Sequence, residues 1–301
     1  MVCCGNNDLV DKKYSYAFKY YLTIEEEADI TSTSNFPVST CHSWDLGFVH
    51  FISVNTNVAE DENLFVNQMK WVKQDVEAAR ARQNPPRWFI MYAHHGPFTV
   101  CRMKAPQQMV PFLEDLEIDV LICGHHHSYS RSRPVKMNLR EALESTLGKD
   151  LYECSGPEIR DFVMGVGYVE AKYNGNPDQN TPEGNAASEA AYINEAEGIY
   201  YVMCQSTGFK LQSNKDLEKT PTPWWYGFRG DHPYNPSYIT WDISWNEIRL
   251  QSKSVTGIML FDERSKLDTS LNSYVVKEDV SLNDLNAVVI DEITIPHRSR
   301  R

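Results

Sequence analysis

The chain has 301 residues, enough for one large domain or two small ones, and 42% of them are hydrophobic, which supports a sizeable core. The net charge is −12 and there is no long basic run, which argues against nucleic acids and anionic membrane surfaces as partners. No stretch of 18 or more apolar residues is present, so we expect no membrane-spanning helix.

The first eight residues read MVCCGNND, an apolar stretch followed by a glycine and a polar turn. This start lacks a charged segment followed by a long apolar one, so it does not have the pattern of a signal peptide. We therefore expect the chain to open within a strand, as a fragment of a longer protein would. Asn6 and Asn7 fall in the turn, and a turn alone would explain their composition.

Strands and a helix are predicted between residues 43 and 86. Residues 43–56 favour one or two strands. A helix is predicted from Glu60, because acidic residues suit its first turn. An apolar stripe then recurs at spacings of three and four, formed by Phe65, Met69, Val72, Val76 and Ala79. Pro85 and Pro86 end this helix.

Two apolar runs that end in histidines carry the clearest signal. Residues 88–95 read WFIMYAHH and residues 120–127 read VLICGHHH. Between them, a buried helical stripe is predicted by Met109, Phe112, Leu113 and Leu116. A strand, a helix and a strand within about forty residues predict a right-handed crossover with parallel strands. Both groups of histidines should therefore meet at one edge of a sheet.

These histidines are candidate metal ligands. Neutral imidazole is the commonest protein ligand for metals, and open α/β sheets bind ligands at the carboxyl ends of their strands. His125 and His127 share one side of an extended segment, whereas His126 need not. The alternative is a histidine-rich loop without metal, which the repeated pattern at His94 disfavours.

Residues 136–197 are predicted to form a loop-rich insertion. Its residues 174–185 have the composition of a flexible loop, and residues 139–147 favour a short helix. We expect four parts in the chain: a core over 1–135, this insertion over 136–197, further strands of the same domain over 198–261, and a polar tail over 262–301.

Strands are predicted again from residue 199. Residues 199–204 form one strand, and residues 238–245 and 248–255 form a hairpin. We expect these strands to complete a second sheet of a sandwich. The polar tail should contain at most one further strand, near residues 288–295.

Three residues are candidates for contact with substrate. Trp225 and Arg229 lie in an aromatic segment that would suit a pocket wall, although core or interface packing explains it equally well. Arg102 could touch a phosphate, but a solvated surface charge is the simpler interpretation.

Four motifs resemble those of calcineurin-like metallophosphoesterases, and they occur along this chain in the same order as in that family. Residues 124–127 (GHHH) match the Gly-His-x-His motif, and the strand ending at His94 is similar to the preceding histidine motif. Residues 43–52 (SWDLGFVHFI) resemble a hairpin of the purple acid phosphatases, and residues 5–8 (GNND) resemble Gly-Asn-His-Glu/Asp. The resemblance runs over residues 1–135 and resumes more weakly over 198–255. It implies an α/β fold, a two-sheet β-sandwich flanked by helices, with its N-terminal part missing.

The resemblance also implies a metal site. The family holds two metals, among iron, zinc and manganese, and the matching ligands here are Asn6, His94, His125 and His127. The aspartates of the family lie in motifs upstream of Gly-Asn-His-Glu, before the start of this sequence. We therefore expect at most one weakly held metal. The missing strands would also leave the strands that end at His94 and at Cys123 with apolar edges exposed.

Either His94 or His95 corresponds to the histidine of the second motif. Counting along the strand from Trp88 points to His94, whereas counting back from Pro97 points to His95. We favour His94 as the ligand, because the strand is rigid. His95 would then be the catalytic proton donor, a role for which the family uses a histidine where this chain has Asn7.

The resemblance implies an acid-phosphatase-like phosphoric ester hydrolase, acting on small-molecule phosphate esters and impaired if the upstream ligands are absent. One alternative is a catalytically inactive relative that binds metal or a partner, and another is a phosphodiesterase. The compartment stays open, since the family is often secreted but no signal peptide is seen. The sequence does not determine the oligomeric state.

Overall fold

The computed structural model describes residues 41–57, 62–98, 105–125, 129–166, 193–204, 226–229, 237–256 and 286–298. The predictions for Asn6, Asn7, Arg102, His127 and Trp225 fall outside these residues. Within the described ranges, no helix is both long and apolar enough to cross a membrane.

A seven-stranded sheet forms the centre of the described fold. Its strands are β1 (His42–Leu46), β2 (Val49–Val54), β3 (Trp88–Ala93), β4 (Val120–Cys123), β5 (Ser130–Ser132), β6 (Tyr200–Met203) and β7 (Tyr226–Arg229). Their order across the sheet is β1-β2-β3-β4-β6-β5-β7. Strands β2, β3, β4 and β6 run parallel, and β1, β5 and β7 are antiparallel to their neighbours. The carboxyl ends of four strands therefore open at the same edge.

A second, three-stranded sheet packs against one face of the first. It consists of β8 (Ser237–Ile243), β9 (Glu247–Thr256) and β10 (Asn286–Pro296), antiparallel in the order β10-β9-β8. Ile248, Leu250 and Ile295 from this sheet share one buried cluster with Trp88 and Ile90 of β3. The predicted hairpin and the predicted strand near residues 288–295 are thus observed.

Helices cover the other face of the larger sheet. They are α1 (Glu62–Arg80), α2 (Val110–Asp115), α3 (Leu139–Leu147) and α4 (Gly156–Val166), and a short 3-10 helix (Ala105–Met109) precedes α2. Phe89 and Met91 of β3 point to this layer, because side chains alternate along a strand. The five residues of the α1 stripe predicted from the sequence are all fully buried. The predicted α/β fold, a two-sheet sandwich flanked by helices, is confirmed.

Two expectations about the strands were wrong. The strand at residues 199–204 lies in the larger sheet between β4 and β5 rather than in the second sheet. All four residues of β6 are buried, which suits a strand with neighbours on both sides. Strands β3 and β4 are also interior strands, because β2 pairs with β3 and β6 pairs with β4, so neither exposes an apolar edge.

The predicted division at residues 135, 197 and 261 stays a prediction. In the described part of 136–197, α3 and α4 contribute Leu143, Ile159 and Val163 to the same buried cluster as the sheet. The strand β10 lies within the range that we expected to be a polar tail.

Candidate metal centre

The strand register brings the candidate histidines to one edge of the larger sheet. Val54, Ala93, Cys123 and Met203 are successive neighbours across β2, β3, β4 and β6. They are the last residues of these strands, so the loops that follow begin side by side. Open α/β sheets bind ligands in this position, outside the carboxyl ends of their strands.

His94, His95 and His125 form a cluster at this edge. Each offers one ring nitrogen, and these nitrogens all lie within 4.8 Å of one another. His94 Nε2 and His125 Nδ1 are 3.1 Å apart. The ring centroid of His95 is 4.6 Å from that of His94 and 4.4 Å from that of His125. The predicted crossover thus brings together histidines that are about thirty residues apart in the chain.

His95 is the most buried member of the histidine cluster, with 4% of its surface exposed. Its Nδ1 lies 3.0 Å from Thr56 Oγ1, and its backbone N–H donates to the same oxygen at 3.0 Å. Its Nε2 is buried and has no hydrogen-bond partner among the residues that the structure describes. Burial, followed by the neighbouring His94 and His125, lowers the pKa of His95 to about 3. His95 is therefore a neutral imidazole with one unpaired nitrogen in the cluster.

The backbone around His125 turns sharply. His125 has φ of 66°, in the left-handed region that residues other than glycine adopt rarely. The N–H of the preceding Gly124 donates to the carbonyl oxygen of His94 at 3.0 Å, which joins the two histidine loops. Sparsely populated backbone conformations persist where the surroundings hold them, often at functional sites.

The histidine cluster fits a metal that prefers nitrogen ligands. Imidazole nitrogens bind zinc at about 2.0–2.1 Å, so tetrahedral ligands lie about 3.3 Å apart. The 3.1 Å between the nitrogens of His94 and His125 is close to that separation. Those two nitrogens are hydrogen-bonded to each other, so a metal between them would displace the shared hydrogen. The buried Nε2 of His95 has no hydrogen-bond partner among the described residues and is a further nitrogen for the metal, and a buried polar atom without a partner calls for an explanation. Among the described residues, the group contains histidines and no carboxylate.

Comparison with known proteins shows what this chain is similar to. Residues 1–129 match the family model of the calcineurin-like phosphoesterases. Purple acid phosphatase 23 of Arabidopsis thaliana is 28% identical over 138 residues, which cover 44% of this chain and 29% of that protein. The acid phosphatase type 7 of Homo sapiens is 29% identical over 114 residues, covering 31% of this chain and 26% of that protein. The resemblance to calcineurin-like phosphoesterases and purple acid phosphatases is confirmed.

The matched segments span less than a third of the length of either curated relative. The solved structure of purple acid phosphatase PPD1 from yellow lupin (Lupinus luteus) covers 80% of this chain and 36% of its own, with 12% identity and a TM-score of 0.39.

The structure places one of the remaining residues that the sequence singled out as candidates. Arg229 ends β7 and pairs with Ser130, which pairs with Met203. It therefore lies in the same cross-strand row as Cys123, three interstrand steps or about 14 Å away. Asn6, His127, Arg102 and Trp225 lie outside the described residues, so their roles stay predictions.

Both His94 and His95 lie in the histidine cluster. The structure is therefore compatible with either of them as the histidine of the second phosphoesterase motif. The unpaired Nε2 and the low pKa of His95 favour it as a metal ligand, because a neutral imidazole has one nitrogen with a free lone pair, whereas a histidine that acts as a proton donor must be charged. The proton-donor role expected for His95 stays a prediction.

Sequence reasoning did not find Thr56 and the residues that hold it. Thr56 follows β2 and is 3% exposed. The preceding Asn55 donates its N–H to Gln68 Oε1 of α1 at 2.8 Å, and Gln68 Nε2 donates back to the Asn55 carbonyl oxygen at 3.2 Å. A buried glutamine in the α1 pattern was a signal that something polar lay beneath that helix.

A second histidine site lies at the opposite end of β2 from the metal edge. It consists of His50, Asp45, Asp75 and Arg82, and we call it the His50 clasp. His50 Nδ1 is 2.7 Å from Asp45 and its Nε2 is 2.8 Å from Asp75. Arg82 also pairs with Asp45. Burial alone would lower the pKa of His50, but hydrogen bonds to Asp75 and Asp45 outweigh it and raise that pKa. The clasp ties the β1–β2 hairpin, one of the phosphatase-like motifs, to α1.

Proposed function

We propose that this chain carries the metal site of a phosphoric ester hydrolase, an acid-phosphatase-like enzyme that acts on small-molecule phosphate monoesters. The observation that supports it most is the group of three histidines at the carboxyl edge of the sheet, with one buried nitrogen left unpaired. The match of residues 1–129 to phosphoesterases gives the reaction class.

In the proposed reaction, the P–O bond to the alcohol breaks and a P–O bond to a water oxygen forms, and the alcohol leaves with a proton. A bound cation would supply Lewis acidity and offset the negative charge of the phosphoryl oxygens. His94, His95 and His125 would hold that cation as neutral ligands. Asn6 and His127 are proposed as further ligands, and Arg102, Trp225 and Arg229 as substrate contacts.

We propose that the site holds at most one metal, zinc, iron or manganese, and holds it weakly. The ligand atoms in the described part of the site are all neutral nitrogens. Neutral nitrogens do not offset the charge of a second nearby cation as a bridging carboxylate would. Because the chain has a net charge of −12, the positive charge that attracts a phosphate would have to come from the metal and from the proposed substrate contacts Arg102 and Arg229.

The same observation favours a second candidate. The described part of the site contains only histidines, and such a group can bind a metal without performing hydrolysis. This chain would then be a metal-binding relative of phosphoesterases. A phosphodiesterase activity is the third outcome. The three possibilities differ in what the purified chain does with monoester and diester substrates.

The experiment uses the purified 301-residue chain loaded with zinc, iron or manganese in turn and then dialysed. Metal per chain is measured by elemental analysis, and hydrolysis is measured with p-nitrophenyl phosphate and bis-p-nitrophenyl phosphate. We expect about one metal per chain at most, and monoester hydrolysis that chelation abolishes. The diester as preferred substrate would identify the phosphodiesterase, and metal without hydrolysis would identify the binding protein.

His125→Ala is compared with His297→Ala, which removes a half-buried imidazole at the opposite end of β3, beside Trp88. We expect loss of metal in the first and retention in the second. If the wild-type chain binds no metal, or if His125→Ala binds as much metal as wild type, the proposed site is wrong.

A further inference from the structure

We propose that Thr56 is a positioning residue that holds the His95 ring so that its Nε2 is presented as a metal ligand. This inference rests on the proposed function, since it concerns the same metal. It assigns His95 a role different from the proton donor expected from the sequence. It also assigns a role to a residue that lies outside every motif of the resemblance.

Thr56 contacts both the backbone and the ring of His95. Its Oγ1 lies 3.0 Å from His95 Nδ1 and accepts the His95 backbone N–H, also at 3.0 Å. One hydroxyl therefore fixes both the main chain and the ring of a single residue. With two such contacts, the ring has little freedom to rotate away from His94 and His125, whose ring centroids lie 4.6 and 4.4 Å away.

The contact with Thr56 also determines which nitrogen of the His95 ring carries the hydrogen. A neutral imidazole has one N–H, and a metal bound at Nε2 leaves that hydrogen on Nδ1. A hydroxyl oxygen has two lone pairs, so Thr56 Oγ1 accepts both the backbone N–H and the Nδ1–H of His95. Histidine ligands of metals usually donate their other N–H in this way, which fixes the tautomer and the orientation of the ring.

Thr56 is itself held in place by its surroundings. Thr56 is 3% exposed, and the two hydrogen bonds between Asn55 and Gln68 attach the turn that contains it to α1. The side chain of Gln68 is itself fully buried. The position of the Thr56 hydroxyl is therefore set by β2 and by α1, the two rigid elements that pack beside β3.

The test compares Thr56→Val, which keeps the shape and removes the hydroxyl, with Thr56→Ser, which keeps the hydroxyl. Zinc affinity is measured by competition with a chelating dye. Loss of an outer partner of this kind typically weakens metal binding about 10- to 100-fold, which is the loss we expect for valine. The serine variant should bind zinc nearly as tightly as wild type.

Ser132→Ala is the matched control for a purely structural effect. Ser132 is also fully buried, and its hydroxyl accepts one backbone N–H, that of Tyr201. Both Thr56→Val and Ser132→Ala should lower the unfolding midpoint of the metal-free chain. Only Thr56→Val should also weaken zinc binding.

A measurement on the wild-type chain covers the case in which Thr56→Val does not fold. Nitrogen-15 NMR of the imidazoles in the zinc-loaded chain should place the proton of His95 on Nδ1 and none on Nε2. A proton on Nε2 in the loaded chain, or zinc affinity in Thr56→Val equal to wild type, would overturn the inference while leaving the metal site intact. Absence of zinc binding in the wild-type chain would overturn the proposed function as well.

Discussion

The two histidine groups of this protein differ in whether their nitrogens are already satisfied. In the His50 clasp, both ring nitrogens lie within 2.8 Å of a carboxylate, and the histidine is 1% exposed. In the cluster of His94, His95 and His125, the buried Nε2 of His95 has no partner in the described part of the chain, and Thr56 contacts only the other nitrogen. The pKa of His50 is raised, whereas the pKa of His95 is lowered. A histidine with both nitrogens paired supports structure, and one with a lone pair left over is ready for a ligand.

The largest effect is expected from removing the unpaired nitrogen. His95→Ala removes a metal ligand itself. It should therefore weaken zinc binding by more than about 100-fold, the upper end of the effect of losing a residue that only hydrogen-bonds to a ligand. The measurement is the same dye competition, with His50→Gln as the matched histidine variant. Normal metal content together with a large loss of hydrolysis in His95→Ala would instead support the proton-donor role.

The next effect concerns stability. Asp75→Asn leaves the buried His50 ring with one carboxylate instead of two, and we expect a loss of about 1–3 kcal/mol in the free energy of unfolding. Urea denaturation measures that loss. Zinc affinity should not change, because His50 lies about 13 Å from the metal edge along β2. A weakened metal site in this variant would mean that the two histidine groups are coupled.

A pH dependence of stability follows from the direction of the His50 shift. The raised pKa means that the clasp contributes fully below the ordinary histidine value of 6.5, and that this contribution is lost as the pH rises through the raised value. Burial would raise the pKa of Asp45, but hydrogen bonds from His50 and Arg82 lower it below 3.8. The contribution of Asp45 is therefore lost only as the pH falls through that lowered value.

The check is urea unfolding of the metal-free chain at several pH values. Between pH 6.5 and 9, wild type should lose stability relative to His50→Gln, because only wild type carries the histidine that titrates. Parallel curves for the two proteins across this range would rule out a protonated clasp.

The smallest effect is expected at the exposed end of the clasp. The ion pair between Arg82 and Asp45 joins side chains that are 44% and 37% exposed. Pairs of this kind contribute about 0.2–1 kcal/mol and are screened by salt. Arg82→Gln should therefore lower the free energy of unfolding by less than about 1 kcal/mol, and the difference should shrink in 1 M salt. A loss as large as that of Asp75→Asn would show that Arg82 belongs to the buried part of the clasp.

Local patterns predicted most elements and the meeting of the histidines. The stripe from Phe65 to Ala79 gave α1, and the two apolar runs ending at Ala93 and Cys123 gave the parallel strands that bring His94 and His125 together. These signals are local, and the rule for parallel crossovers turns them into a position in space.

Sequence patterns did not predict the neighbours of each strand. The strand predicted at residues 199–204 is expected in the second sheet, yet its residues 200–203 pair with β4, from which about eighty residues separate them. Thr56 was missed for the same reason, because its contact with His95 spans 39 positions and leaves no periodic signal. Long-range pairing of this kind depends on the whole packed arrangement.

The most direct test of the central claim is zinc K-edge X-ray absorption of the zinc-loaded wild-type chain. We expect about three imidazole nitrogens bound to the zinc at about 2.0–2.1 Å, the usual zinc–nitrogen distance. A first shell dominated by sulfur, or by oxygen without imidazole scattering, would contradict the assignment of the metal to His94, His95 and His125.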